Sequence, residues 1–301
     1  MNTTRTQVQA NVRRTWFLMS SFLVVVIAIG FGLSYYFDNP LILYIAVAFS
    51  VVGNFFSYFN SDKIALSTSG AKPIDPRNPK HRELDRIVEN LAISQGMPKP
   101  RIYVINDSAL NAFATGRDPE HAAMAFTSGM LETLERNELE GVAAHELSHI
   151  KNRDILVGTI AVTLVGMIAI IADLFMRGAF AAGGQRDNRA SIVILIIGIV
   201  LSILSPIIAR LIHLAISRRR EYLADATGAE ITRYPEGLAS ALEKIASQNK
   251  PLDKASTATA HLFFASPFGS STRPAIDFLE RAFSTHPPIQ ERIAILKGMN
   301  R

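Results

Sequence analysis

The sequence predicts a mainly α-helical integral membrane protein, with four transmembrane helices and a cytosolic α+β domain carrying a small sheet. Three observations lead there. Four long apolar runs, at about residues 16–37, 40–59, 155–176 and 191–209, contain a single charged residue among them, Asp173, and each is close to the length a helix needs to cross a bilayer. Of the 301 residues 49% are hydrophobic and only 19% charged, where a quarter is usual for a soluble domain, and mean hydropathy is +0.20. Between the pairs of runs, a polar stretch mixes amphipathic helical periodicity with short apolar segments, the pattern of a helix-plus-sheet domain.

In chain order, residues 1–61 form a basic tail and a first transmembrane hairpin. The tail carries Arg5, Arg13 and Arg14. The run that follows is too long for the core of a signal peptide and no small-residue cleavage site succeeds it, so a retained span is expected. Tyr35 and Tyr36 stand where an interfacial aromatic belt would. The short Asp38-Asn39-Pro40 connection makes the hairpin tight. Residues 62–154 form the first part of the soluble domain, 155–216 a second hairpin with a short Gly/Ala-rich linker, and 217–301 the second part. The tail, the stretch after the second run and Arg218-Arg219-Arg220 are basic. The positive-inside bias, weakened but not reversed by Arg177, Arg186 and Arg189, therefore places both termini and the soluble domain in the cytoplasm.

Within the first soluble part, Arg82–Gln95 reads as a helix with Leu84, Ile87, Val88 and Leu91 on one face and Gly96 just past its end. Strands are expected at Arg101–Ile105, Ala109–Thr115 and Ala122–Thr127, with a turn over Gly116–His121. A strand beside a reactive centre can pair with an extended peptide through main-chain hydrogen bonds; a plain structural strand is the alternative. Helices are expected at Pro235–Gln248, at about Ala255–Phe264 and at Ile289–Lys297 after the Pro287-Pro288 start.

The net charge of +5 comes from scattered Lys and Arg with no aromatic-interleaved basic patch, which argues for membrane flanks and against nucleic acid. There is no cysteine among the 301 residues, so disulfides and thiolate ligands are excluded, and a bound zinc would need His, Glu or Asp.

Chemistry concentrates in Asn137–Asp154, expected as one amphipathic helix capped by Asn137 with Glu140 three residues on. It contains His145-Glu146-Leu147-Ser148-His149. Residues four apart on a helix lie one above the other, so both imidazoles face one way and can clamp a metal ion. Glu146 stands beside them as a base without being a ligand. His is scarce, 7 in the chain, which makes this spacing specific. The competing interpretation is a solvated helix face. A third ligand is sought in Glu221-Tyr222-Leu223-Ala224-Asp225, since a hydrophobic hairpin returns the chain to the same membrane face. Glu221 would complete a His, His, Glu set that leaves a position for water. Asp225, one turn on, would accept the free ring N–H of a ligating His. Surface ion pairing of Glu221 with Arg218–Arg220 is the alternative.

The combination of H-E-L-S-H, a hydrophobic hairpin, R-R-R-E-Y-L-A-D-A, an upstream N-A-F-A segment and H-P-P near the end resembles the HtpX group of membrane-bound zinc metallopeptidases, over nearly the whole chain. The resemblance implies a zincin-like catalytic domain with one zinc per subunit, ligated by His145, His149 and Glu221, and Glu146 as general base. It implies Asp225 as support for a ligand, and Asn111, Ala112, Phe113 and Ala114 on the edge strand that receives substrate. It implies a location of His286 near the cleft, where it helps stabilise the oxyanion; a helix cap is the ordinary alternative for that residue. It further implies an endopeptidase of the inner or plasma membrane that cleaves misfolded or damaged membrane proteins in quality control and stress response. A transporter would bury ionisable residues in mid-span, and a scaffold that lost its chemistry would show a broken ligand set. Neither pattern is present. A prenyl-protein endopeptidase would carry more spans.

Overall fold

In a computed structural model the residues described are 4–182, 196, 198, 199, 218–248, 250–254, 259–268 and 287–299. The first two apolar runs form helices α1 (Thr4–Tyr36) and α2 (Pro40–Thr68). Asp38 turns the chain at φ 49°, and the Asn39 side chain accepts the Leu41 N–H at 3.0 Å, capping α2 just before its N-terminal proline. The third run lies on α6 (Asp154–Ala182). Thus three described helices are long and apolar enough to cross a membrane. The fourth expected span lies outside the described residues apart from three helical positions within 196–199. Small and polar residues of α2 bind these helices together: Asn54 Nδ2 donates to the Met19 carbonyl at 3.1 Å, and Ser57 Oγ lies 3.4 Å from Met167 Sδ, the packing expected where lipid removes the hydrophobic drive between helices.

The sheet has four strands in the order β1-β2-β4-β3: β1 (Lys72–Pro73), β2 (Arg101–Ile105), β3 (Ala112–Thr115) and β4 (Ala123–Thr127). Its central pair, β2 and β4, is parallel, with Ile102 opposite Met124, while β3 runs antiparallel to β4 with Ala114 opposite Met124. Alternation sets the faces. Met124 and Phe126 point into the main core with α3 (Pro79–Ser94), the short α4 (Ser128–Thr133) and α5 (Arg136–Lys151). Ala123, Ala125 and Phe113 point the other way, onto Ala65 and Leu66 at the end of α2. α2 therefore runs past the expected end of its span to dock under the sheet, and Asp62 near this end pairs with Arg101 of β2 at 2.5 Å.

Four sequence expectations need correction. The motif helix begins at Arg136 and not at Asn137, because Glu138 receives the Glu135 N–H at 2.7 Å and is held there by Ser240 at 2.6 Å and Lys244 at 2.7 Å; Glu140 is not the capping acid. The same helix stops at Lys151. Asn152 caps it, Arg153 takes φ 55°, a left-handed conformation unusual for a side-chain-bearing residue, and α6 starts afresh at Asp154. The third strand is shorter than Ala109–Thr115, because Ala109 N–H turns to Asp107 Oδ1 at 2.8 Å and Asn111 N–H to Thr127 Oγ1 at 3.1 Å, both outside the ladder. No long helix occupies the described part of 255–264. A short 3₁₀ turn, Ala260–Leu262, leads there into an extended Phe263 bridged to Phe113.

The second soluble part supplies α7 (Arg218–Thr232), α8 (Pro235–Gln248) and α9 (Ile289–Gly298). α5 is sandwiched between the sheet and this group. Two glycines permit the closeness: a Cβ at Gly141 would lie 2.7 Å from the Leu238 nitrogen of α8, and one at Gly228 of α7 would lie 3.1 Å from the His145 nitrogen.

Candidate metal centre

Helical spacing on α5 puts the imidazoles of His145 and His149 on one face, with their Nε2 atoms 3.1 Å apart. The Gly228 approach brings the first turn of α7 against that face. Glu221 then reaches both rings, Oε2 at 3.8 Å from His145 Nε2 and Oε1 at 3.7 Å from His149 Nε2. One donor atom from each of the three lies within 4.8 Å of the others. Glu221 is thus part of the cluster and not a solvated helix start: it is 3% exposed.

Each ring has its other nitrogen committed. His145 Nδ1 lies 2.9 Å from Asp225 Oδ1, and His149 Nδ1 lies 3.1 Å from Asp154 Oδ2. A carboxylate at Nδ1 makes that nitrogen the protonated one and turns the Nε2 lone pair inward, toward the other ring and Glu221. Two lone pairs and a carboxylate facing each other at this range repel unless a proton or a metal ion sits among them. The spacing suits one: metal–nitrogen bonds of about 2.0–2.1 Å at tetrahedral angles put two nitrogens ~3.3 Å apart. The donor set therefore fits a divalent ion.

Both supporting carboxylates are themselves held. Asp225 takes a two-pronged pair from Arg292 of α9, and Arg292 also donates to the Phe264 carbonyl at 3.3 Å and lies over the Phe264 ring at 4.7 Å. Asp154 receives Asn11 Nδ2 of α1 at 2.6 Å and Arg220 Nη1 at 3.2 Å. Asp154 and Arg292 were not anticipated here. The available signal for Arg292 was its position on the apolar face of α9 with Ile293 and Leu296, both buried. Asp154 owes its place to the two-residue corner after α5, which no periodicity announces.

The electrostatics follow from this burial and pairing. Burial drives His145 down to about 4, against the opposing pull of Asp225. Burial also acts to lower His149, but Glu221, Asp154 and Glu146 together outweigh it and hold that ring up at about 9. Asp225 sits at about 2, because Arg292 and His145 overcome the upward push of burial. Glu146, almost fully buried at the edge of a cleft, is pushed up to about 7 chiefly by burial, with Glu221 adding to it, while His149 and the Ala114 N–H that its carboxylate accepts pull the other way.

Ala114 and Glu146 open on a cleft lined also by His149, Gly158, Leu262 and Phe263. Of the four residues expected on a substrate-receiving edge, Asn111 lies just before β3 and the other three on it, at the sheet edge. Part of that edge is already paired. The Phe264 N–H donates to the Ala112 carbonyl at 2.7 Å, and the Asn111 amide clamps the Ala265 backbone on both sides, at 2.9 and 3.1 Å. Ala114, further along the same edge, lines the cleft beside Glu146. His286 and His213 lie outside the described residues.

Comparison with known proteins shows what the chain as a whole is similar to. The profile of Peptidase family M48 matches residues 78–300. The chain is 46% identical over 296 residues to a protein named "Protease HtpX homolog" from Caldanaerobacter subterraneus subsp. tengcongensis, covering 96% of this chain and 95% of that one. It is 47% identical over 270 residues to a protein of the same name from Pyrococcus furiosus, covering 88% and 89% respectively. Among solved structures, S. mikatae Ste24p superposes with a TM-score of 0.51 at 17% identity, covering 97% of this chain and 66% of that one, a likeness of fold.

Proposed function

Since the chain belongs to peptidase family M48 and is an HtpX-type membrane metallopeptidase, we propose that it is an endopeptidase whose ion is zinc, one per chain, held by His145, His149 and Glu221. The observation that carries this reading is the convergence of both Nε2 atoms and the Glu221 carboxylate on one buried point while each Nδ1 is occupied by a carboxylate. Two imidazoles and one carboxylate without thiolates are a donor set for catalytic zinc. When bound, such an ion polarises a peptide carbonyl and makes a water molecule acidic.

The remaining work falls to the chain. Glu146 is the general base: its carboxylate, raised to about 7 by burial, takes up a proton near neutral pH and can give it to a leaving amine. The Ala114 N–H orients that carboxylate. Asp225 and Asp154 fix the rings of His145 and His149. A peptide extends along the outward side of β3 at Ala114, with Asn111, Ala112 and Phe113 contributing only as far as the Phe263–Ala265 strap allows. The oxyanion contribution of His286 stays an expectation carried by the family resemblance alone.

Location follows the same reasoning. α6 holds 29 residues, roughly 43 Å of helix, yet Arg220 beyond the second hairpin returns to 3.2 Å from Asp154 at its start. That favours an even number of crossings and four spans in all, and the basic flanks favour a cytoplasmic catalytic domain in the cell membrane. Ile155 and Gly158 of α6 line the cleft, so it opens beside the bilayer. This supports membrane proteins, damaged or misfolded, as substrates in a quality-control role. The test is Glu146→Gln: cleavage of a casein-type or denatured membrane substrate should fall by about 10²–10⁴-fold while zinc content is retained. Normal cleavage by that variant would remove Glu146 from the mechanism.

A further inference from the structure

We infer that Asn11, on the first membrane helix, is a positioning residue for the metal centre, acting through Asp154 on His149. This rests on the reading of His149 as a metal ligand.

Asn11 is 2% exposed, a buried amide in the polar first turns of α1, before its apolar run. Burying an amide is unfavourable unless its hydrogen bonds are made. Here every polar atom of the side chain is used, and each use points at the corner beside the site. Asn11 Nδ2 donates to Asp154 Oδ1 at 2.6 Å and to the Asn152 carbonyl at 3.1 Å. Asn11 Oδ1 lies 3.5 Å from Arg220 Nη1. Thr15, one turn on, donates to the Asn11 carbonyl at 3.0 Å.

These bonds span the three segments that must agree for the site to exist. Asn152 is the cap of α5, which carries both histidines. Asp154 opens α6 and holds His149 Nδ1 through its second oxygen. Arg220 precedes Glu221 and donates to the same Asp154 oxygen as Asn11. With Oδ1 fixed by two donors, the carboxylate plane cannot swing, and Oδ2 stays on the imidazole. Deleting the Asn11 amide leaves Asp154 held by Arg220 alone and frees the Arg153 corner to relax. Partners of this kind typically influence metal affinity by about 10–100-fold. An ordinary packing role would loosen the helices without reaching the ring. The relay also makes a complete site depend on docking of α1, so the soluble domain alone is not expected to bind metal tightly.

The experiment uses the full-length chain in detergent, with zinc affinity measured by chelator competition and the cobalt-substituted protein read by its visible d–d spectrum. The wild-type chain should hold one zinc that His149→Ala abolishes; failure there contradicts the metal-ligand reading itself and is a separate outcome. Asn11→Leu should then weaken zinc binding by about tenfold or more, shift the cobalt spectrum and lower kcat more than it raises KM. In an Asp154→Ala background the same change should add nothing, since the two act in series. Asn54→Leu, which removes another buried amide, one that donates to the Met19 carbonyl of α1 and makes no hydrogen bond to the Asp154 corner, is the control for general loosening. Should Asn11→Leu fail to accumulate, Asn11→Gln, with the amide one carbon further out, is read in the same way. Zinc affinity within twofold of wild type, an unmoved spectrum, or an equal effect from Asn54→Leu would overturn the inference.

Discussion

Arg292 and Asp225 form a two-pronged pair, Nε to Oδ2 at 2.8 Å and Nη2 to Oδ1 at 2.7 Å, with both side chains 2% exposed. Planar fork-to-carboxylate geometry is something only arginine supplies. Removing one partner of such a pair leaves a buried charge uncompensated, a loss of about 3–5 kcal/mol. Arg292→Met should therefore lower the melting temperature of the chelator-treated protein sharply, and zinc affinity with it, because Asp225 loses its hold on His145. Arg292→Lys should rescue neither fully. A lysine variant that behaves as wild type would show that charge alone suffices there.

Gly228 sets the distance between the helix of Glu221 and the helix of the histidines. A methyl at that position already meets the His145 backbone at 3.1 Å, tighter than normal carbon contact. Gly228→Ala should be tolerated with a small loss, and Gly228→Val should force the helices apart at about 1–3 kcal/mol and weaken zinc binding. Equal zinc affinity in both variants would mean that α7 can shift without moving Glu221.

Glu138 links the start of α5 to α8. Burial alone would raise its carboxyl, but Lys244, Ser240 and the Glu135 N–H outweigh burial and hold it below its ordinary value of 4.5. A folded-state pKa that is depressed stabilises above the unfolded value and ceases to as pH falls through the folded one. The melting-temperature gap between wild type and Glu138→Gln, measured with chelator present, should be open at pH 7 and close below about pH 4.5. A gap that stays constant down to pH 3 would contradict the assignment.

With 0 Cys in the chain, single cysteines can report sidedness. An impermeant thiol reagent applied to whole cells should label Asp38→Cys, at the turn between α1 and α2, and should reach Arg77→Cys, on the soluble domain, only after permeabilisation. The reverse pattern would invert the proposed orientation.

Much of the site was legible because its first layer obeys helical arithmetic. Four-residue spacing unites His145 with His149, and Glu221 with Asp225, whatever the tertiary fold. The apolar runs and the strands Arg101–Ile105 and Ala123–Thr127 were legible for a similar reason, since burial writes itself as periodicity. What escaped depends on tertiary geometry. Asp154 acts because Arg153 bends the chain at a positive φ, and Asn11 because α1 happens to pass that corner. Arg292 is marked in sequence only by its place on the apolar face of a short helix, with no motif to say what it pairs with. Over its described residues, 259–264, the helix expected at Ala255–Phe264 is replaced by a short 3₁₀ turn and extended backbone, because Phe263 and Phe264 are placed by pairing to β3.

The most direct test is the zinc content of the purified full-length chain beside that of Glu221→Gln, counted after removal of loosely bound metal. Close to one zinc per wild-type chain, and loss of most of it when Glu221 gives up its carboxylate, is the expected result. Equal zinc in the two proteins would place the third ligand elsewhere and contradict the account.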